Sequence, residues 1–403
     1  MSSAFPEQGL PPAAVFAAME DARHSDVDWR RGRLGLYVHY AGEDVLEVAK
    51  EAYRRFFSEN ALGPKAFPSL KRFEDDILAW TADLLQAGPQ ATGVVTSGGT
   101  ESIFLALKTA RDWARAARPD ITTPEIVAPV SAHPAFDKAA HYLCMKVRRL
   151  PLRADYRADV PAMAAAISPD TIILIGSAPA FPHGVIDPIP ALAELARQRG
   201  LWLHVDACVG GFLAPFARRL GYPIPPFDFA VEGVRSMSAD LHKYGFTAKG
   251  ASVLLLADQS LRRHLVFEFD NWPRGKYVSP TFAGTRPGGA IAAAWAVMRY
   301  LGIDGYLRLA TAIMGVRDRL LEGIPAIEGL YIVGAPDLSV IGYAGHGVDM
   351  FAVAEQLTGK GWFVSTMSNP PGIHLGMPTM AHVPHVEEYL GDLMREHLGE
   401  IFS

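Results

Sequence analysis

The chain has 403 residues, a net charge of −5, and a composition that is 49% hydrophobic and 20% charged. That length implies one large domain and a smaller one, and the mixture of residues is that of an ordinary globular protein. Interspersed charges of both signs argue against a nucleic-acid surface, and only two cysteines, Cys144 and Cys208, exclude a disulfide framework and a cysteine-based metal site.

Residues 1–6 lack the basic stretch and apolar run of a signal peptide. No apolar run reaches the ~18 residues of a membrane span, and Gly288 to Met298 reads as a buried helix. A reducing, cytoplasmic setting is the expectation. Up to about residue 30 periodicity is weak, so an arm or short helix is expected. Val45, Val48, Ala49, Ala52, Tyr53 and Phe56 recur at helical spacing, and Phe73, Ile77, Trp80 and Leu84 mark a second amphipathic helix. From there helices and strands alternate. The reading predicts helices at 102–118, 135–143, 160–167 and 189–199, with strands at 126–130, 146–150, 171–176 and 202–206. Strands at 229–231 and 251–256 are expected to complete the sheet. Such alternation implies a mostly parallel sheet covered on both faces. Beyond Pro287 a long helix runs to Glu322. Strands at 331–333, 339–343 and 362–365 and helices at 350–357 and 386–401 then suggest a small α+β domain.

Ligands in open α/β sheets bind beyond the carboxyl ends of the strands, and three unusual segments fall there. Thr96-Ser97-Gly98-Gly99-Thr100-Glu101-Ser102 opens a helix. Two glycines let backbone approach a ligand, and the helix N-terminus favours a phosphate. Taken alone it is an ordinary helix start capped by Ser97 or Thr100. Asp206 closes the apolar strand 201–205, either as a capping residue or as an anionic partner for a pyridinium nitrogen. His242-Lys243 lies among small, weakly polar residues, which suggests a buried amine with a lowered pKa able to form a Schiff base. A lone lysine is more often a solvated surface charge. His133 and His183 follow strands as well, and histidines so placed are commonly structural. Lysine, aspartate and a glycine-rich phosphate turn are together the parts of a pyridoxal 5'-phosphate site.

In this order and spacing the segments TSGGTES (96–102), PEIVAP (124–129), SAHPAFDKAA (131–140), FPHGVIDP (181–188), HVDACVGGF (204–212), FDFAVEGV (227–234), SADLHKYG (238–245), SPTFAGTRPGG (279–289) and LSVIG (338–342) carry a resemblance. The chain resembles the sphingosine-1-phosphate lyase group of the pyridoxal-phosphate-dependent group II decarboxylases, from about Tyr40 to its end. The resemblance implies an α/β protein of the fold type I (aspartate aminotransferase-like) class, with a large, mixed, mostly parallel sheet domain and a small C-terminal α+β domain. The implied division is an N-terminal arm with helices (1–60), a large cofactor domain (61–290), and a linking helix with the small domain (291–403).

It further implies that Lys243 holds the cofactor, Asp206 pairs with its ring nitrogen and His133 stacks on its ring. Gly98, Gly99, Thr100 and His242 would hold its phosphate. Thr285 would reach that phosphate from a neighbouring subunit, making the active unit a homodimer. Tyr40 and Lys249 match positions around the substrate phosphate. The implied activity is cleavage of the C2–C3 bond of a phosphorylated 2-amino-3-hydroxy base, with amino-acid decarboxylation as the alternative and a non-catalytic cofactor-binding protein as a third reading. Lys243 would return a proton to C2. Tyr40 and a phosphate oxygen are the candidates for taking the 3-hydroxyl proton. One departure stands out: Asn60-Ala61-Leu62-Gly63-Pro64-Lys65 carries Gly63 where the group has histidine, and Lys65 is a candidate for the missing charge. Phe246 replaces a usual tyrosine.

Overall fold

Residues 5–402 are described by the structure, a computed structural model, with the side chains of 397–402 left aside. Residues 1–4, part of the segment that argued against a signal peptide, lie outside them. Three helices lead in: α1 (Pro12–Ala22), which buries none of its side chains, α2 (Glu43–Arg55) and α3 (Pro68–Leu84). The chain then alternates through β1 (Thr92–Thr96), α4 (Gly99–Ala117), β2 (Glu125–Pro129), α5 (Ala135–Tyr142), β3 (Lys146–Leu150), α6 (Val160–Ala166), β4 (Thr171–Ser177), α7 (Ile189–Arg199) and β5 (Trp202–Asp206). After α8 (Ala214–Arg219) come β6 (Val234–Ala239), β7 (Ser252–Leu256), α9 (Arg262–Leu265) and a hairpin of β8 (Phe267–Phe269) and β9 (Tyr277–Ser279). The helix α10 (Gly288–Gly323) bends at Gly302, whose φ of 56° interrupts it.

The first seven strands form one sheet in the order β1-β7-β6-β5-β4-β2-β3. β7 runs antiparallel to both its neighbours, β1 and β6, and every other pairing in the sheet is parallel. The expected α/β architecture is therefore present. Sequence periodicity located most of its elements because both sheet faces are apolar. Leu174, Leu203 and Val205 join the core on one face, while Ile173, Ile175 and Trp202 fill the other. The two-residue alternation of a strand produces that division, and helices cover both layers. Truncating a side chain such as Leu203 to alanine would cost about 2–5 kcal/mol.

Two strands differ from expectation. Residues 229–231 make a turn instead of a strand, with the Ala230 N–H donating to Asp228 Oδ1 at 3.3 Å. The real strand is β6, and its polar residues obscured it. Ser236 Oγ lies 2.8 Å from both Trp202 Nε1 and His204 Nδ1, so the serines are buried by being bonded. β1 is not among the expected strands, although four of its five residues are β-branched, because Gly93 interrupts the run.

The small domain has its own core around Ile341, Tyr343, Leu357, Ile373 and Leu393. It packs α11 (Met350–Gly359) and α12 (Val386–Phe402) beside an antiparallel sheet of β10 (Leu330–Ile332), β11 (Gly342–Gly345), β12 (Ser365–Ser368) and β13 (Pro371–His374), ordered β10-β11-β13-β12. Expected strands at 339–343 and 362–365 are displaced toward the C-terminus, because Ser339–Ile341 and Trp362 are buried connections rather than paired strand. Among the described residues no helix is long and apolar enough to cross a membrane.

Candidate active site

Parallel strands deliver their following loops to one edge of the sheet, and a cavity of about 1030 Å³ opens there. Its wall includes Gly98, Gly99 and Thr100 after β1, His133 after β2, Asp206 at the end of β5, and His242, Lys243 and Lys249 after β6. Because β7 returns antiparallel, the loop 240–251 starts and ends at this same edge. That loop is tightly held. Tyr244 donates its hydroxyl proton to the Pro378 carbonyl at 3.1 Å and meets Ser339 Oγ at 2.5 Å, while Tyr306 donates to the Gly245 carbonyl at 3.1 Å.

The phosphate-type loop is built from glycines for want of space. A Cβ at Gly99 would come within 2.8 Å of Cys208 Sγ and Asp240 Oδ2. Neither Ser97 nor Thr100 caps α4. Gly98 occupies the N-cap without a side-chain bond, so the first-turn N–H groups are left for a ligand. Glu101 braces the loop by accepting from Ser97 N at 2.7 Å and from Phe282 N at 2.9 Å. His242 stands beside it, its Cε1 3.6 Å from where a Gly98 Cβ would be. The Ala251 carbonyl, 2.8 Å from Nδ1, can only accept, so the Nδ1 proton points there and Nε2 is turned toward the site.

Asp206 is 8% exposed. Its Oδ1 accepts from Cys208 N at 3.1 Å and from Ser238 Oγ at 3.2 Å, and among the described residues its Oδ2 makes no hydrogen bond. His133 is oriented by Ala135 N, which donates to its Nδ1 at 3.1 Å. Lys243 Nζ lies 2.8 Å from Asp240 Oδ2. Burial opposes its charge, but the Asp240 carboxylate outweighs that cost and holds the amine above the usual lysine range. The lowered pKa expected from the sequence is thereby corrected. Lys249 donates to the His242 carbonyl at 3.0 Å. Loss of water around its amine, with the charge of Lys243 adding to it, lowers its pKa to about 8.

Tyr40 and Thr285 stand apart from these groups. Tyr40 donates to Glu43 Oε1 at 3.2 Å and packs its ring edge-on to Trp29, with centroids 5.6 Å apart. Burial and the neighbouring Glu43 raise its pKa, which disfavours it as a proton acceptor. Its neighbours Tyr37 and His39 line the cavity instead. Thr285 is exposed and accepts from Asn60 Nδ2 at 3.2 Å. Gly63 and the exposed Lys65 lie outside the wall of this chain's cavity. His183 packs against Tyr156, with ring centroids 4.7 Å apart, away from the cavity wall. Asp240 and His39 carried no sequence signal of their own.

Pyridoxal phosphate fits these residues. An amine, a carboxylate with an open oxygen and an uncapped helix start face one cavity, and the glycine loop leaves no room for side chains. Residues 40–343 match the pyridoxal-dependent decarboxylase conserved domain. Sphingosine-1-phosphate lyase of Oryza sativa is 44% identical over 387 residues, covering 94% of this chain and 71% of that protein. The structure of the Burkholderia pseudomallei sphingosine-1-phosphate lyase superposes with a TM-score of 0.95 at 36% identity, covering 99% of this chain and 93% of the other. Lactobacillus brevis glutamate decarboxylase shares the fold at 19% identity, with a TM-score of 0.87 over 99% of this chain and 95% of that one.

Proposed function

Because the chain belongs to the pyridoxal-dependent decarboxylase family, within its sphingosine-1-phosphate lyase group, we propose that it cleaves the C2–C3 bond of a phosphorylated sphingoid-type base, releasing a fatty aldehyde and phosphoethanolamine. The cofactor is pyridoxal phosphate, and the chain is a lyase acting on a small-molecule amine. The observation that carries the substrate assignment is a second lysine, Lys249, in the same cavity as Lys243. One amine serves the cofactor and leaves the other for an anionic group. Leu36, Ile103, Phe181, Val209 and Met377 supply apolar wall for an aliphatic chain.

Bound pyridoxal phosphate supplies the electron sink for the bond that breaks. The protein's own groups do the rest. Asp206 would face the ring nitrogen with Oδ2 and keep it protonated, and His133 would lie against the ring. Gly98 to Thr100 and His242 would hold the cofactor phosphate, and Lys249 the substrate phosphate. Lys243 would give a proton to C2 once the aldehyde has left.

The active unit is proposed to be a homodimer of a cytoplasmic protein. Thr285, exposed and outside the wall of its own cavity, suits a role in the neighbouring site, and α1 leaves Phe16 and Met19 63% and 58% exposed, as a segment covered by a second copy would. Turnover against phosphorylated sphingoid bases, their unphosphorylated forms and a set of amino acids tests the assignment. Aldehyde from the phosphorylated bases supports it. Carbon dioxide from an amino acid, without aldehyde, would replace it with decarboxylation.

A further inference from the structure

Asp240 has no part in the scheme above, yet it is the nearest anion to Lys243. It sits at the first position after β6 and is 2% exposed. Its Oδ2 is 2.8 Å from Lys243 Nζ and 3.8 Å from His242 Nε2, while Oδ1 is buried without a hydrogen-bond partner. A carboxylate removed from water is tolerated where a cation faces it. Gly99 makes the space for this one, since any Cβ there would strike Oδ2.

We propose that Asp240 is a positioning residue that receives the released Lys243 amine as an ammonium and so keeps on it the proton destined for substrate C2. A substrate that arrives as its ammonium supplies the extra proton that Lys243 carries on release. Lys243 N–H breaks as C2–H forms, the lysine is left as a neutral amine, and Asp240 stays a carboxylate throughout. The C2 part rests on the lyase reading above; the ion pair does not. The titratable groups facing the pair are His242 and Lys249 in the same loop, Asp206 on β5, Cys208 just after it, and His39 from the N-terminal segment. Asp206 supports the ammonium but lies behind Asp240 in influence, and burial keeps the Cys208 thiol neutral, so the Asp240 carboxylate sets the charge.

The test is the pH dependence of Lys243 acetylation in the full-length chain freed of cofactor, read by peptide mass spectrometry. Wild type should acetylate slowly at pH 8. Asp240→Asn should move the midpoint down by about two units, roughly a hundredfold faster at pH 8, and Asp240→Glu should restore slow labelling. Holoenzyme of Asp240→Asn should lose kcat while KM holds. Equal labelling of wild type and Asp240→Asn would overturn the proposal. Should Asp240→Asn fail to fold, Lys243→Met and the double variant decide. Removing the stranded carboxylate should raise the melting temperature of Lys243→Met, and no gain would refute the pair. Acetylation requires no substrate, so its failure is distinct from a failure of aldehyde release.

Discussion

Lys249 has a pKa of about 8, so its charge changes within the range where the protein is easily assayed. By ordinary titration about three-quarters of it is charged at pH 7.5 and about 3% at pH 9.5, a change of roughly 25-fold. A phosphate monoester is already a dianion across that interval, so the lysine alone should set the trend. Because neutral Lys249 keeps the residual affinity of an uncharged side chain, the holoenzyme's dissociation constant for a short alkyl phosphate such as butyl phosphate, measured by calorimetry, should rise roughly tenfold from pH 7.5 to 9.5. A full charge pair about 4 Å apart at an effective dielectric of about 20 is worth ~4 kcal/mol. Lys249 is an exposed residue whose amine is only partly stripped of water, and screening reduces this to ~2 kcal/mol, or about thirtyfold in affinity. Lys249→Met should lose that factor at pH 7.5 and show no pH trend. Lys249→Arg should bind well and remain flat to pH 9.5. Equal affinity of wild type and Lys249→Met at pH 7.5 would remove Lys249 from phosphate recognition.

A Cβ at Gly63 meets nothing nearer than Ala66 Cβ at 3.6 Å, so Gly63→His should keep stability within about 0.5 kcal/mol. If the missing imidazole matters, that variant should raise kcat/KM for a phosphorylated base by about tenfold or more; unchanged kinetics would show that the chain does without it. Gly99→Ala forces a methyl against Cys208 and Asp240 and should cost about 1–3 kcal/mol in denaturant unfolding, with weaker cofactor uptake in an absorbance titration. Unaltered uptake would mean that the loop has slack. Burial holds neutral His204 at a pKa of about 4 despite the opposing pull of Asp206. The unfolded chain takes up a proton near pH 6.5 that the native state refuses, so stability should fall as pH drops from about 6.5 toward 4, by about 3 kcal/mol in all. His204→Gln should flatten the slope between pH 6.5 and 5, and an unchanged slope would place the loss elsewhere.

Much of the fold could be read from the chain because β4 and β5 are buried on both faces and largely apolar, and α7 between them buries a 3.6-residue stripe. β6 could not be. Its serines are satisfied by Trp202 and His204, partners visible only once the sheet is assembled. The site divides in the same way. Lys243, Asp206 and the Gly98–Thr100 turn follow strands, and topology alone sends them to one edge. The charge on Lys243 depends on a single approach of 2.8 Å by a residue three positions away, a distance that no pattern of residue types encodes. Tyr40 shows the converse. Its place in the resemblance suggested chemistry, and within this chain its hydroxyl donates to Glu43 while its ring packs on Trp29.

The reversed direction of β7 has a consequence for how such a protein can change its chemistry. Strands β6 and β7 are direct neighbours in register, with Ala239 opposite Val253. The segment 240–251 is accordingly a closed excursion, its two ends fastened side by side like the feet of an arch. His242, Lys243 and Lys249 ride on that one arch. Exchanging the segment would alter charge, reach and proton supply together without disturbing the register of any strand. The sheet can thus act as a fixed bed, and selection between neighbouring reactions can act on twelve or so residues at a time.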